Sequence, residues 1–161
     1  MNEVSNILWR ERHLLELLLF KLEEEQLLLA AGRARWLAHA TREVEMVLEE
    51  LKTVELSRAM ASDAASKALG LGPDASLRAL ADAAPPPWKD LLHEHRRAFL
   101  ELTEELVGAA STNRELLARG SQAAQDMLAS LDEGRLSLYD ASGMATTGST
   151  PTSALLLDEV L

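Results

Sequence analysis

The side chains with which this chain could bind a metal or move a proton are four histidines, His13, His39, His93 and His95, and a large stock of carboxylates. In a helical protein such a set would most naturally build a di-iron centre, which needs Glu-x-x-His steps on two helices so that the ligands project into one core. No glutamate stands three residues before any of the four histidines. Asp90 with His93 is the one related spacing, and His93 and His95 stand two residues apart, about 200° around a helix, so they cannot share an ion. Metal binding is therefore not expected, and no cofactor is implied. Covalent catalysis lacks its groups as well: there is no cysteine, no Gly-x-Ser-x-Gly turn and no glycine-rich phosphate loop. The consecutive Glu23, Glu24 and Glu25 point in different directions on a helix and read as a solvated face, not an acid/base pair. The chain is not expected to be an enzyme.

The elements that would position any functional surface are helices. Of the 161 residues 47% are hydrophobic but only 4% aromatic, and the apolar content is mostly Leu and Ala, which pack helices well and strands poorly. The length allows one domain with a modest core. Acidic residues outnumber basic ones by 26 to 16, a net charge of −10 that repels phosphate backbones and anionic headgroups, so neither nucleic acid nor a membrane surface is expected as a partner. The richest apolar run, Leu14 to Leu22, is broken by Glu16 and Lys21 and is shorter than the roughly 20 residues that cross a bilayer. No small-residue cleavage site follows it, and with no cysteine framework the chain is expected to be soluble and cytoplasmic.

Three long helices are expected. The first, from about Asn6 to Ala31, carries Leu8, Leu15, Leu22 and Leu29 every seven residues, with Leu19 and Gln26 at the alternate seam positions. Its middle, Leu14 to Phe20, is apolar on more than one side and should touch two neighbours; it is read as bundle core in preference to a ligand groove. The second has Leu37, Ala40, Val44, Val47, Leu51 and Val54 in a seam that continues through Arg58, whose head is expected to reach solvent. Gly32 is read as a hairpin turn between them, with one continuous rod as the alternative. Gly70, Gly72 and Pro73 stop the second helix, and Asp74 or Ser76 caps a short connector that Pro85 to Pro87 terminate. The third helix, about Trp88 to Leu131, has an unbroken seam that includes Leu92, His95, Phe99, Leu106, Asn113, Leu116, Gly120 and Met127. Asn113 is either a register-setting seam residue or a partly exposed one bonded to a neighbouring helix. After Glu133 the composition turns to Gly, Ser, Thr and Pro, which cannot bury enough surface to offset its ordering entropy. The expected fold is thus all-α, an antiparallel bundle or coiled coil of three long helices with a short connector helix and a disordered C-terminal tail. The helical domain spans residues 1–133 and the flexible tail 134–161.

Several of these features in order resemble the FlgN family of flagellar export chaperones: Leu27 and Leu28 before Gly32, and Glu43 and Glu45 before Leu48 and Leu51. Arg58, the Gly70-Leu71-Gly72 break, Leu77 and Leu80 in the connector, Asn113 with Leu116 and Leu117, and Tyr139 with Gly143 follow. The resemblance covers about residues 5 to 143, and the Leu-rich end from Ala154 to Leu161 has no place in it.

That resemblance implies a cytoplasmic chaperone that binds the C-terminal amphipathic helix of hook–filament junction proteins of the FlgK and FlgL type. It would deliver them to the export gate of the flagellar type III system. It points to Leu116, Leu117, Ala124, Met127, Leu128 and Leu131 for client contact and to Tyr139 for docking at the gate. The residues alone give only a helical interaction protein, for which an apolar helix face beside a tail is a suitable setting. Self-association is compatible with the seams, and the rival reading is a constitutive coiled-coil scaffold whose seams are all permanently filled.

Overall fold

No proline or glycine interrupts the chain between Asn2 and Ala31, and in the computed structural model α1 occupies Asn2–Ala30. The structure describes residues 1–72 and 75–137, with side chains to residue 131. α1 ends in a left-handed glycine: Gly32 has φ +65°, its N–H donates to Leu29 O at 3.1 Å, and Arg33 N–H donates back to Leu28 O at 2.9 Å. Those bonds satisfy carbonyls the helix leaves open and reverse the chain, so Gly32 is a turn and the continuous rod is excluded. α2 (Ala34–Ala68) closes in the same way, with Gly70 at φ +72° and Leu71 N–H on Ser66 O at 2.9 Å. Of the two expected caps for the connector, Ser76 is described: its Oγ accepts from Ala79 N–H at 3.2 Å and opens α3 (Leu77–Ala83). Pro85 to Pro87 then separate α3 from α4 (Trp88–Ser137). Among the described residues the fold is all-helical, with these four helices.

Cross-helix contacts fix the directions. Arg10 pairs with Glu50 at 2.8 Å and Lys21 with Glu43 at 2.7 Å, so α2 descends as α1 rises. Trp9 packs on His95 and Glu25 meets Asn113, so α4 rises with α1. Two core clusters result. At the base, Val4 and Leu8 of α1, Ala61 and Ala65 of α2, Leu80 and Ala81 of α3, and Leu92 of α4 bury one another. Higher up, Leu14 and Leu18 pack on Val47, Leu51 and Val54. Leu8, Leu80 and Leu92 have no exposed surface, and truncating any of them to Ala should cost about 2–5 kcal/mol.

The structure changes five sequence expectations. Leu8 of the expected seam is fully buried, but the alternate seam positions of α1 are Val4, Glu11, Leu18 and Glu25, one residue before the expected Leu19 and Gln26, and the two carboxylates among them find partners on other helices. Glu25 is accordingly buried and not part of a solvated face, and Arg58 pairs with the buried Glu11 while its side chain stays 38% exposed. The seam of α4 is buried at Leu92, His95 and Asn113, but Gly120, Ala123 and Met127 are exposed. α4 also continues through residues 134–137, into the segment read as tail; Tyr139 and the rest of that segment lie outside the described residues.

By its backbone contacts the chain divides into two units, Met1–Arg119 and Gly120–Leu161, and both core clusters belong to the first.

Candidate functional site

Three groups of buried polar residues could carry chemistry. Glu11 is nearly buried, and Arg58 Nε lies 2.8 Å from its Oε2 and donates to its Oε1 at 3.1 Å. Burial raises the Glu11 carboxyl above its ordinary value, against the lowering effect of the Arg58 charge. Glu25 accepts from Thr41 Oγ1 at 2.7 Å on Oε1 and from Asn113 Nδ2 at 3.0 Å on Oε2, while the same Nδ2 donates to Leu22 O at 2.9 Å. One carboxylate thus ties α1 to α2 and α4, and Asn113 occupies the seam buried, not partly exposed, while making the bond to a neighbouring helix that the second reading gave it. His95 is 1% exposed, with Trp9 edge-on at 4.8 Å between centroids and Phe99 stacked at 6.3 Å, and neither ring nitrogen has a hydrogen-bond partner. Desolvation lowers its pKa, and the Arg12 charge lowers it further.

None of these groups pairs a nucleophile with a base. Each carboxylate is neutralised or held by donors from a neighbouring helix, which is what a structural tie requires. Among the described residues no three His, Asp or Glu side chains converge on a point where an ion could sit. His93 Nε2 finds its carboxylate on α3, Asp82 Oδ1 at 3.0 Å.

The sequence-derived client residues fall on a different kind of surface. Asn113 is level with Glu25, and α1 stops five residues later at Ala30, a rise that brings α4 to Ala118. Leu116 is half-buried on the core side, and Leu117 is 43% exposed. Within the second unit every residue from Gly120 to Leu131 is exposed, with Met127 and Leu128 at 66%. At about 100° per residue, Leu117, Ala124, Met127, Leu128 and Leu131 lie on one stripe about 100° wide, in phase with Leu106 and Asn113. The seam of α4 therefore continues as an uncovered apolar face. Leu116 stands at its edge, and Tyr139 lies outside the described residues.

Sequence reasoning missed Glu11, Glu25 and Thr41. The signal was there: Glu11 and Glu25 share a seven-residue frame with Val4 and Leu18, and each has a polar seam residue available on another helix, Arg58 and Asn113.

No helix among the described residues is long and apolar enough to cross a membrane. A family model described as FlgN protein matches residues 1–147. No curated protein and no solved structure matches the chain.

Proposed function

The chain belongs to the FlgN family, whose members are flagellar chaperones and not enzymes, and on that premise we propose that it is a cytoplasmic export chaperone for hook–filament junction proteins. In this reading α1, α2 and the part of α4 up to Arg119 form one bundle in which α2 runs antiparallel to the other two. The client, a FlgK- or FlgL-type protein, lays its C-terminal amphipathic helix along the late part of α4. The observation that carries the reading is the apolar stripe of Leu117, Ala124, Met127, Leu128 and Leu131, which keeps the phase of a core seam while remaining exposed. A monomeric surface seldom leaves such a row uncovered without a partner for it, and an amphipathic helix supplies apolar side chains at the matching spacing. Leu116 would contact the client at the edge of the stripe, and Tyr139 in the segment 134–161 would anchor the loaded chaperone at the export gate through a large ring with a hydroxyl handle.

The test is Leu128→Asp. Because Leu128 is exposed in the free chain, the substitution should leave helicity and melting unchanged. It should weaken binding of a junction-protein C-terminal peptide by about 2 kcal/mol or more, since a charge would be buried against the client's apolar face. Unchanged affinity in the folded variant would reject this site and move client binding to the Leu14 to Phe20 band, whereas an unaltered chain that binds no client peptide would leave the permanently filled scaffold as the better description. Tyr139→Ala should retain peptide affinity and lower client secretion; normal secretion would remove the docking role.

A further inference from the structure

α4 carries a second seven-residue frame beside its core seam. Positions 89, 93, 96, 100, 103, 107, 110 and 114 follow one another at alternating spacings of four and three, and no carboxylate occupies any of them in a chain of net charge −10. The frame is basic at both ends, with Lys89, His93 and Arg96 in the first turns and Arg114 at the last. Among the described residues Lys89, Arg96 and Arg114 form no ion pair, whereas His93 is engaged by Asp82. Between these ends stand Leu100, Thr103, Val107 and Ala110, with Leu100 57% and Val107 65% exposed and the Thr103 hydroxyl spent on Phe99 O of its own helix. Glu94, Glu101 and Glu105 fall more than about 100° away around the helix, and Glu104, the nearest acid on α4, about 60° away.

This frame borders a trough of about 370 Å3 between α2 and α4, floored by Leu18, Leu22 and Leu106, with Leu48 on the α2 lip and Arg114 closing one end. A largely apolar trough bounded by two helices can receive the apolar face of a third helix. We propose that this face docks an acidic amphipathic helix of a partner protein. Its apolar side chains enter between Leu48 and Val107, and its carboxylates, about 18 residues or 27 Å apart, meet Arg96 and Arg114. Unpaired cations at both ends of an apolar track, in an otherwise acidic protein, select such a partner over a basic helix and set its length. A phosphate backbone would need cations along the whole track and would meet repulsion everywhere else. The surface lies within Met1–Arg119 and does not depend on the late-α4 client reading.

The experiment uses the full chain and two synthetic helical peptides of 21 residues, identical in a central Leu heptad pattern, one with Glu and one with Lys at both ends. At low salt the Glu-ended peptide should bind and the Lys-ended one should not. Val107→Glu should weaken the Glu-ended peptide at least about tenfold, because it puts a carboxylate where the apolar face docks. The double variant Arg96→Glu with Arg114→Glu should invert the preference severalfold, with an unchanged circular dichroism spectrum. Leu128→Asp should leave this binding intact. Equal binding of the two peptides by the unaltered chain, full binding by Val107→Glu, or loss on Leu128→Asp alone would each overturn the proposal; the last would leave the late-α4 client site standing.

Discussion

Leucine is the ordinary occupant of a helix seam, yet Asn113→Leu should destabilise this protein. Asn113 is 3% exposed and Glu25 7%, and the Asn amide makes two bonds that leucine cannot replace. The bond to Leu22 O at 2.9 Å is worth about 1 kcal/mol net, and the bond to the Glu25 carboxylate at 3.0 Å about 1.5–3 kcal/mol because its acceptor is charged. Against this, leucine gains apolar burial of about 1.5 kcal/mol and removes Asn113 Oδ1, which is buried without a partner. What decides the sign is the carboxylate left behind, held only by Thr41 Oγ1 at 2.7 Å. The net loss should be about 2 kcal/mol, roughly 6–10 °C in Tm for a domain of this size. Urea denaturation followed by circular dichroism measures it, with an unchanged m-value indicating that the stability, and not the unfolding surface, has moved. The companion variant Asn113→Leu, Glu25→Leu, Thr41→Val removes the whole polar group and should recover the original stability or exceed it. A stabilising Asn113→Leu, or a triple variant as weak as the single, would refute the claim that the carboxylate sets the cost.

Arg58→Met should cost about 2 kcal/mol at neutral pH by leaving Glu11 nearly buried without a countercharge, a figure reduced from the fully buried case because Arg58 itself is half-exposed. The Glu11 pKa is already raised, so its contribution is favourable below the ordinary 4.5 and is lost as pH rises through the folded value. The Arg58→Met deficit should therefore shrink as pH is lowered toward that range, and a pH-independent deficit in urea titrations would contradict it. His95 has the opposite sign. Its pKa is lowered from 6.5 by burial first and by Arg12 second, so its contribution is complete above 6.5 and is lost as pH falls through the lower folded value. His95→Leu should make melting between pH 7 and 5 less pH-dependent; an unchanged slope would show that His95 is not the group responsible.

The helices were legible in the sequence because their stop signals are strong and local: Gly32 and Gly70 both adopt positive φ, and Ser76 caps the connector. The seam of α2 from Ala40 through Val54 was legible because apolar residues fill it. The frame of α1 was not, since leucines stand on several of its sides and only the partners on α2 and α4 decide which side faces inward. Arg58 and Glu25 illustrate the same limit: a charged residue in a seam looks solvated until another helix brings it a counterpart. For the candidate surface, Leu117, Ala124, Leu128 and Leu131 were named only through the family resemblance, because they stand beside the periodic seam of α4 and not in it, and their exposure is a tertiary fact that spacing does not carry.

The unequal distribution of burial along the hairpin grades its resistance to local opening. The base draws on four helices and encloses Leu8, Leu80 and Leu92 completely. Toward Gly32 the contacts thin out: beyond Leu18 the only buried residue of α1 is Glu25, before Val47 the only one of α2 is Ala40, and Leu27 is 70% exposed. Fraying there sacrifices little apolar contact, so excursions that open the tip are the least costly the unit Met1–Arg119 can make, and those that open the base approach global unfolding. The Glu25, Thr41 and Asn113 contacts sit at the margin between these regimes, and they act less as a contribution to total stability than as a brake on how far an opening at the tip travels toward the base.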